Sequence, residues 1–264
     1  MRILRSGQDL DTFFGRLARH SGPALLLLDY DGTLAPFQKD RDKAVPYPGV
    51  AGALKALLEA GRTRLVIVSG RSVHDLPRLL DLDPLPEIWG NHGWERKLPD
   101  GSYSIADLSP EARQGLDEAH AAALEAGAAD HCERKPASIA LHWRGVDPVE
   151  AESYKPVTVD RWTAISQKSG LDLHSFDGGV ELRVPGRDKG FAVRSLLAEM
   201  GAETPTAYLG DDATDEDAFA AVGSAGISVL VRPEYRDTGA DVWLRPPEEL
   251  LAFLNRWRMA DEAR

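Results

Sequence analysis

The chain has 264 residues, 43% of them hydrophobic and 28% charged, with a formal net charge of −11. That apolar content excludes wholesale disorder, and the acidic balance argues against nucleic acid or an anionic membrane as partner. A single cysteine, Cys132, excludes an intrachain disulfide and suits a reducing, cytoplasmic setting.

Near the N-terminus the longest apolar stretch is residues 24–28, too short for a signal segment or a membrane span. It reads Ala-Leu-Leu-Leu-Leu and ends at Asp29-Tyr30-Asp31-Gly32, which predicts a strand buried on both faces followed by a turn. Residues 49–60 place Val50, Leu54, Leu57 and Leu58 on one helical face, and Gly61 is the stop. A second buried strand is expected over 65–68, ending at Ser69-Gly70-Arg71, then a helix over 72–80 despite Pro77. Ile88 and Trp89 mark a third strand, ending at Gly90-Asn91-His92-Gly93. This alternation predicts an α/β fold with a Rossmann-like parallel sheet, whose ligands sit at the carboxyl ends of its strands.

From residue 107 the pattern changes. Ser109-Pro110-Glu111 opens a helix to about Gly127, with serine as cap and proline at the first helical position. Four strand-like pieces follow, near 131–134, 137–143, 171–175 and 180–184, with a helical stretch between Asp147 and Ser169 that Pro156 should break or kink. The parallel rhythm then returns: a helix over 189–200, a strand over 206–209 ending at Gly210-Asp211-Asp212, a helix over 215–222, a strand over 226–229 and a last helix over 247–257. The expected organisation is a core from residues 1–106 and 185–264, interrupted by an α+β insertion over 107–184, with a monomer favoured.

Two carboxylates one residue apart at a strand end, Asp29 and Asp31, suit phosphoryl transfer. One serves as nucleophile and the other as proton donor and acceptor, with a raised pKa that like-charged neighbours would supply. A carboxylate approaching a phosphate dianion needs a divalent cation between them, and Mg²⁺ fits an all-oxygen site. Ser69 either caps the next helix or donates to a phosphoryl oxygen. Lys189 opens a helix, where the dipole disfavours a cation unless a phosphate is bound. Adjacent Asp211 and Asp212 repel unless a cation lies between them, although one of them as a helix cap is the plainer alternative.

The four pieces Asp29-Tyr30-Asp31-Gly32-Thr33-Leu34, Ser69-Gly70-Arg71, Lys189-Gly190 and Gly210-Asp211-Asp212 resemble the motifs of the haloacid dehalogenase superfamily in order, spacing and placement. The resemblance implies that Asp29 is the nucleophile and Asp31 the acid/base. It also implies a metal on Asp29, the Asp31 carbonyl and Asp211, a phosphoryl group held by Ser69 and Lys189, supporting roles for Asp212 and Asp215, and a C2-type cap in the insertion. Adding Asn91-His92-Gly93, Glu133-Arg134-Lys135, Val180-Glu181-Leu182-Arg183 and the run from Gly210 to Phe219, the chain is similar to trehalose-6-phosphate phosphatases over about residues 24–225. That similarity implies a small sugar-phosphate substrate, trehalose 6-phosphate, with trehalose as product and the insertion supplying sugar contacts. A disaccharide presents many hydroxyls, which suit Glu133, Lys135 and Glu181 in the insertion and Asn91, His92 and Glu95 in the core. Arg71 would serve sugar or phosphate. His142 reads as structural, facing a neighbour in the insertion's sheet. Other sugar phosphates, such as sucrose 6-phosphate or a glycosyl-3-phosphoglycerate, are the alternative substrates. A non-catalytic sugar-phosphate sensor would be expected to have lost Asp29, Asp31 or Lys189, and all three are present.

Overall fold

The computed structural model describes residues 1–5, 9–38, 40–176, 178–201 and 203–263. In chain order the first part runs β1 (Arg2–Ile3), α1 (Leu10–Arg19), β2 (Ala24–Leu28), α2 (Val50–Ala60), β3 (Thr63–Val68), α3 (Leu76–Leu80), β4 (Glu87–Gly90), β5 (Glu95–Lys97) and β6 (Tyr103–Ile105). The middle holds α4 (Pro110–Glu125), β7 (Cys132–Lys135), β8 (Ser138–His142), α5 (Pro148–Ser169), β9 (Asp172–Phe176) and β10 (Gly179–Arg183). The last part is α6 (Lys189–Met200), β11 (Thr206–Gly210), α7 (Glu216–Val222), β12 (Gly226–Val231), β13 (Val242–Leu244) and α8 (Glu248–Glu262). Two units result: Met1–Ser104 with Arg187–Arg264, and Ile105–Gly186, against the insertion of 107–184 expected from sequence.

The first unit is built on a sheet of order β1-β13-β12-β11-β2-β3-β4-β5-β6, in which β13, β12, β11, β2, β3 and β4 run parallel. The unalternating leucines of β2 have a direct cause. Ala24, Leu26 and Leu28 join one hydrophobic cluster with Phe14, Leu54, Phe253 and Trp257 from α1, α2 and α8. Leu25 and Leu27 join another with Val193, Leu196 and Phe219 from α6 and α7. Helices cover both faces, so both sets of side chains are fully buried. Each such leucine contributes roughly 1.5–3 kcal/mol, and together they fix where β2 ends. In the parallel register Leu28 pairs with Leu209 of β11 and with Ile67 of β3. The loops after β2, β3 and β11 therefore leave from one edge of the sheet.

The expected helix over 72–80 is shorter. Residues 72–75 form a turn closed by the Asp75 amide donating to the Ser72 carbonyl (3.1 Å), and α3 begins only at Leu76. Pro77 lies in its first turn, where a missing N–H costs nothing, so the proline marks the start of the helix rather than its middle.

The second unit is a four-stranded antiparallel sheet of order β7-β8-β10-β9, with α4 and α5 packed on each other and against it. Strand alternation puts Ile139, Leu141, Val180 and Leu182 on one face and Glu133, Lys135, Ser138, His142, Glu181 and Arg183 on the other. Contrary to expectation, α5 runs unbroken through Pro156. Asp147 caps its start by accepting from the Val149 and Glu150 amides, and Gly170 ends it in the left-handed conformation. Ala151, Tyr154, Thr158 and Trp162 form its buried stripe, and the Trp162 indole donates to the Ala119 carbonyl at 2.9 Å. Two firm caps and a packed face offset the one backbone bond that proline removes.

Candidate active site

Asp29 leaves the end of β2 with its amide donating to the Leu209 carbonyl (2.9 Å), and it is 3% exposed. Its Oδ1 lies 2.8 Å from Lys189 Nζ, and its Oδ2 accepts from Thr33 Oγ1 at 3.3 Å. Gly32 turns the chain at φ 82°, and a Cβ there would lie 2.2 Å from Asp211 Oδ2. Glycine is therefore required twice, by conformation and by the close approach of Asp211 to the turn.

Asp29, Asp211 and Asp215 offer oxygens within 4.8 Å of one another, and all three are buried. Asp215 is already committed. Its Oδ1 accepts from Lys189 Nζ (2.8 Å) and the Tyr208 hydroxyl (2.5 Å), and its Oδ2 from the amides of Asp211 (3.0 Å) and Asp212 (3.1 Å). Asp215 thus holds the loop and the lysine, which leaves Asp29 and Asp211 as the carboxylates of this cluster that are open to a cation, among the described residues. Burial, then the charges of Asp29, Asp215 and Asp212, push Asp211 up to about 9. Burial, opposed by Lys189 and assisted by Asp215, pushes Asp29 up to about 7. Burial works against the Lys189 ammonium, but Asp215 and Asp29 outweigh it and hold the group above its ordinary range. One lysine does not balance this many carboxylates, so the donor set suits a divalent cation.

Asp212 matches its plainer alternative. Its Oδ1 accepts from the Thr214 amide (2.8 Å) and hydroxyl (2.6 Å), and with Asp215 it forms a capping box. Ser69 is 1% exposed, and its Oγ accepts from the Arg71 amide at 3.1 Å. A hydroxyl used as acceptor still has its proton to donate. Asp31, expected to sit among like charges, has a cation as its side-chain partner. Arg71 grips it through Nε to Oδ2 and Nη2 to Oδ1, each at 2.6 Å.

The loop after β4 braces these groups. Asn91 and His92 both have left-handed backbones, φ 47° and 55°, uncommon for residues other than glycine. The Asn91 amide donates to the Arg71 carbonyl (2.8 Å) and that of His92 to the Ser69 carbonyl (3.0 Å). A Cβ on Gly70 would lie 2.6 Å from His92 Nε2, so that glycine makes room for the imidazole. Asn91 Nδ2 donates to Glu95 Oε2 (2.7 Å), while the buried Asn91 Oδ1 lacks a hydrogen-bond partner among the described residues. Glu95, carried over as a sugar ligand, is 1% exposed and accepts from Asn91, the Val73 amide (3.1 Å) and the Tyr103 hydroxyl (3.0 Å). Its oxygens tie the loops after β3 and β4 to β6.

In the insertion, Lys135 Nζ lies 3.4 Å from Glu181 Oε1 and 3.8 Å from Glu133 Oε2. His142 Nε2 meets Glu133 Oε2 at 3.2 Å, the within-sheet contact expected of it. Glu181 also accepts from Ser138 Oγ (2.7 Å) and Arg183 Nε (2.7 Å). Burial opposes ionisation of Glu181, but Lys135, Arg183 and Ser138 prevail and hold it down at about 2.

Sequence reasoning missed three residues. Tyr208 bonds Asp215, and burial with the charges of Asp215 and Asp29 keeps its phenol protonated far above the usual range. Arg232 and Arg236 each donate to the Asp211 carbonyl at 3.2 Å, and Arg236 also reaches the Asp212 carbonyl (2.5 Å) and Glu216 (2.5 Å). Neither arginine falls in a motif; both come from the loop after β12, and only the fold brings them to the 211–212 backbone.

A model of the trehalose-phosphatase family matches residues 27–240. The chain belongs to the trehalose-phosphatase family. A curated relative in Mycobacterium marinum, a trehalose-phosphate phosphatase, is 32% identical over 244 residues, covering 88% of this chain and 60% of its own. The chain thus spans about three-fifths of the length of such relatives. The fold also matches the C-terminal domain of the Candida albicans trehalose-6-phosphate phosphatase, with TM-score 0.73 and 21% identity over 98% of this chain and 99% of that one. A haloacid dehalogenase-like hydrolase from Bacteroides thetaiotaomicron, 17% identical, shares it at TM-score 0.66 over 89% and 99% of the two chains. The trehalose-phosphatase family member described here therefore has the haloacid dehalogenase fold, with the four-stranded unit as its insertion. Among the described residues no helix is long and apolar enough to cross a membrane.

Proposed function

We propose that this trehalose-phosphatase family member is a Mg²⁺-dependent phosphatase that hydrolyses trehalose 6-phosphate through a phosphoryl-enzyme on Asp29. The observation that carries the reading is the placement of buried Asp29, with Lys189 at 2.8 Å and Asp211 beside it. Asp29 attacks phosphorus in line, and the bond from phosphorus to the sugar oxygen breaks. Asp31 gives that oxygen its proton, and trehalose leaves. Water then attacks the phosphorus of the aspartyl-phosphate, the bond to Asp29 breaks, and Asp31 takes the water's proton. Lys189 and the Ser69 hydroxyl hold the equatorial oxygens, whose charge a buried, preorganised site stabilises better than water does. Mg²⁺, held by Asp29, Asp211 and the Asp31 carbonyl, would supply the positive charge that lets a carboxylate meet a phosphate dianion.

The disaccharide half is assigned to the polar face of the insertion's sheet, where Glu133, Lys135 and Glu181 sit together. A sugar offers hydroxyls and little apolar surface, so forked charged acceptors and donors suit it. The test is phosphate release from trehalose 6-phosphate, sucrose 6-phosphate, glucose 6-phosphate and mannosyl-3-phosphoglycerate, with and without Mg²⁺. Trehalose 6-phosphate should lead, and only with the metal. Faster turnover of another ester would overturn the substrate, and full activity after exhaustive chelation would overturn the mechanism.

A further inference from the structure

Lys189 stands between two carboxylates, Asp29 Oδ1 and Asp215 Oδ1, each 2.8 Å from its ammonium. To help phosphoryl transfer it must face the group arriving at Asp29, yet Asp215 competes for it. How strongly Asp215 competes depends on what else satisfies its charge. Two backbone amides take Oδ2, at 3.0 and 3.1 Å. On Oδ1, the oxygen that faces the lysine, the Tyr208 hydroxyl donates at 2.5 Å. A carboxylate that already accepts a short charge-assisted bond attracts a second donor less. Tyr208 is fully buried on β11, its ring edge-on to Phe219 with centroids 5.8 Å apart. The ring is packed in place and its hydroxyl is directed at Asp215.

We propose that Tyr208 is a positioning residue: by occupying Asp215 Oδ1 it leaves the Lys189 ammonium available to the phosphoryl group transferred to Asp29. The inference rests on the phosphoryl-enzyme reading above. Packing alone does not account for the hydroxyl, since phenylalanine would fill nearly the same space.

The test is Tyr208→Phe in the full chain, assayed with Mg²⁺ on the ester that the parent turns over best. Loss of one such bond should lower kcat about tenfold and leave KM within about twofold. Orthovanadate inhibition should weaken in step with kcat, because it also depends on Lys189. The Mg²⁺ needed for half-activation should not move, since the Oδ2 bonds that hold the 211–212 backbone are untouched. Unchanged kcat in Tyr208→Phe would overturn the inference alone. So would a joint shift of kcat, Mg²⁺ requirement and melting temperature, which marks a loosened loop instead of a displaced lysine. A parent inactive on every ester with Mg²⁺ overturns the phosphatase reading and this inference with it.

Discussion

Arg71 and Asp31 form a two-pronged ion pair, with both bonds at 2.6 Å. The arginine side chain is only 4% exposed, and its remaining terminal nitrogen donates to the Arg41 carbonyl at 2.8 Å. A planar fork of this kind fixes the plane of a carboxylate as well as its place. If Asp31 handles the proton, Arg71 orients it. Arg71→Lys keeps the charge and loses the fork, so kcat should fall roughly 10–100-fold with a smaller change in KM. Guanidinium ion added to Arg71→Ala should restore part of the rate. Steady-state kinetics decide the point: a raised KM at constant kcat would make Arg71 a ligand of the substrate instead.

Metal-free protein should lose stability as pH rises. Asp211 is raised from 3.8 to about 9, and Asp29 from 3.8 to about 7, so the folded state holds these protons more tightly than the unfolded chain does. Their contribution is complete below about pH 4 and is lost as pH climbs through 7 and 9. In chelator, the melting temperature should drop between about pH 4 and 9, and Asp211→Asn should flatten that drop. Mg²⁺ should stabilise most at the alkaline end, where it displaces fewest protons. An equal slope in the parent and Asp211→Asn would show that the cluster does not control it.

Glu133 and Lys135 should separate sugar recognition from chemistry. Each charge-assisted bond to a hydroxyl is worth roughly 1.5–3 kcal/mol, so Glu133→Ala and Lys135→Ala should each lower kcat/KM for trehalose 6-phosphate at least tenfold. Hydrolysis of a small aryl phosphate should hardly change, whereas Asp29→Asn should lose both activities. The two variants should differ in stability. Lys135 is a partner of buried Glu181, so only Lys135→Ala should also lower the melting temperature. Full activity of both variants on trehalose 6-phosphate would remove these residues from the sugar site.

Pro156 sits exposed in the continuous helix α5. Proline leaves the carbonyl one turn earlier, that of Glu152, without its helical donor. Pro156→Ala should raise unfolding free energy by about 1–3 kcal/mol, measured by denaturant melts. A loss of stability would mean that the ring makes contacts that alanine cannot replace.

The strand ends and the four motifs were legible in the sequence because their signals are local. Five apolar residues in a row have to be buried on two faces, and the polar cluster that follows such a run has to lie at its end. The partners of those polar groups were not legible, because partner choice depends on where separate loops converge. Arg71, 40 positions beyond Asp31, reads as one more basic residue after a strand until β2 and β3 pair and set it against that carboxylate. Asp215 reads as one acid among several in a helix start, and only its burial against Tyr208 and Lys189 makes it the brace of the site. Glu95 and Glu133 carry the same charge and resemble the same family pattern. The fold seals Glu95 among Asn91, the Val73 amide and Tyr103, which engage both its oxygens, and leaves Glu133 on a partly open strand, because burial is a property of the packed sheet, which no short stretch of sequence contains.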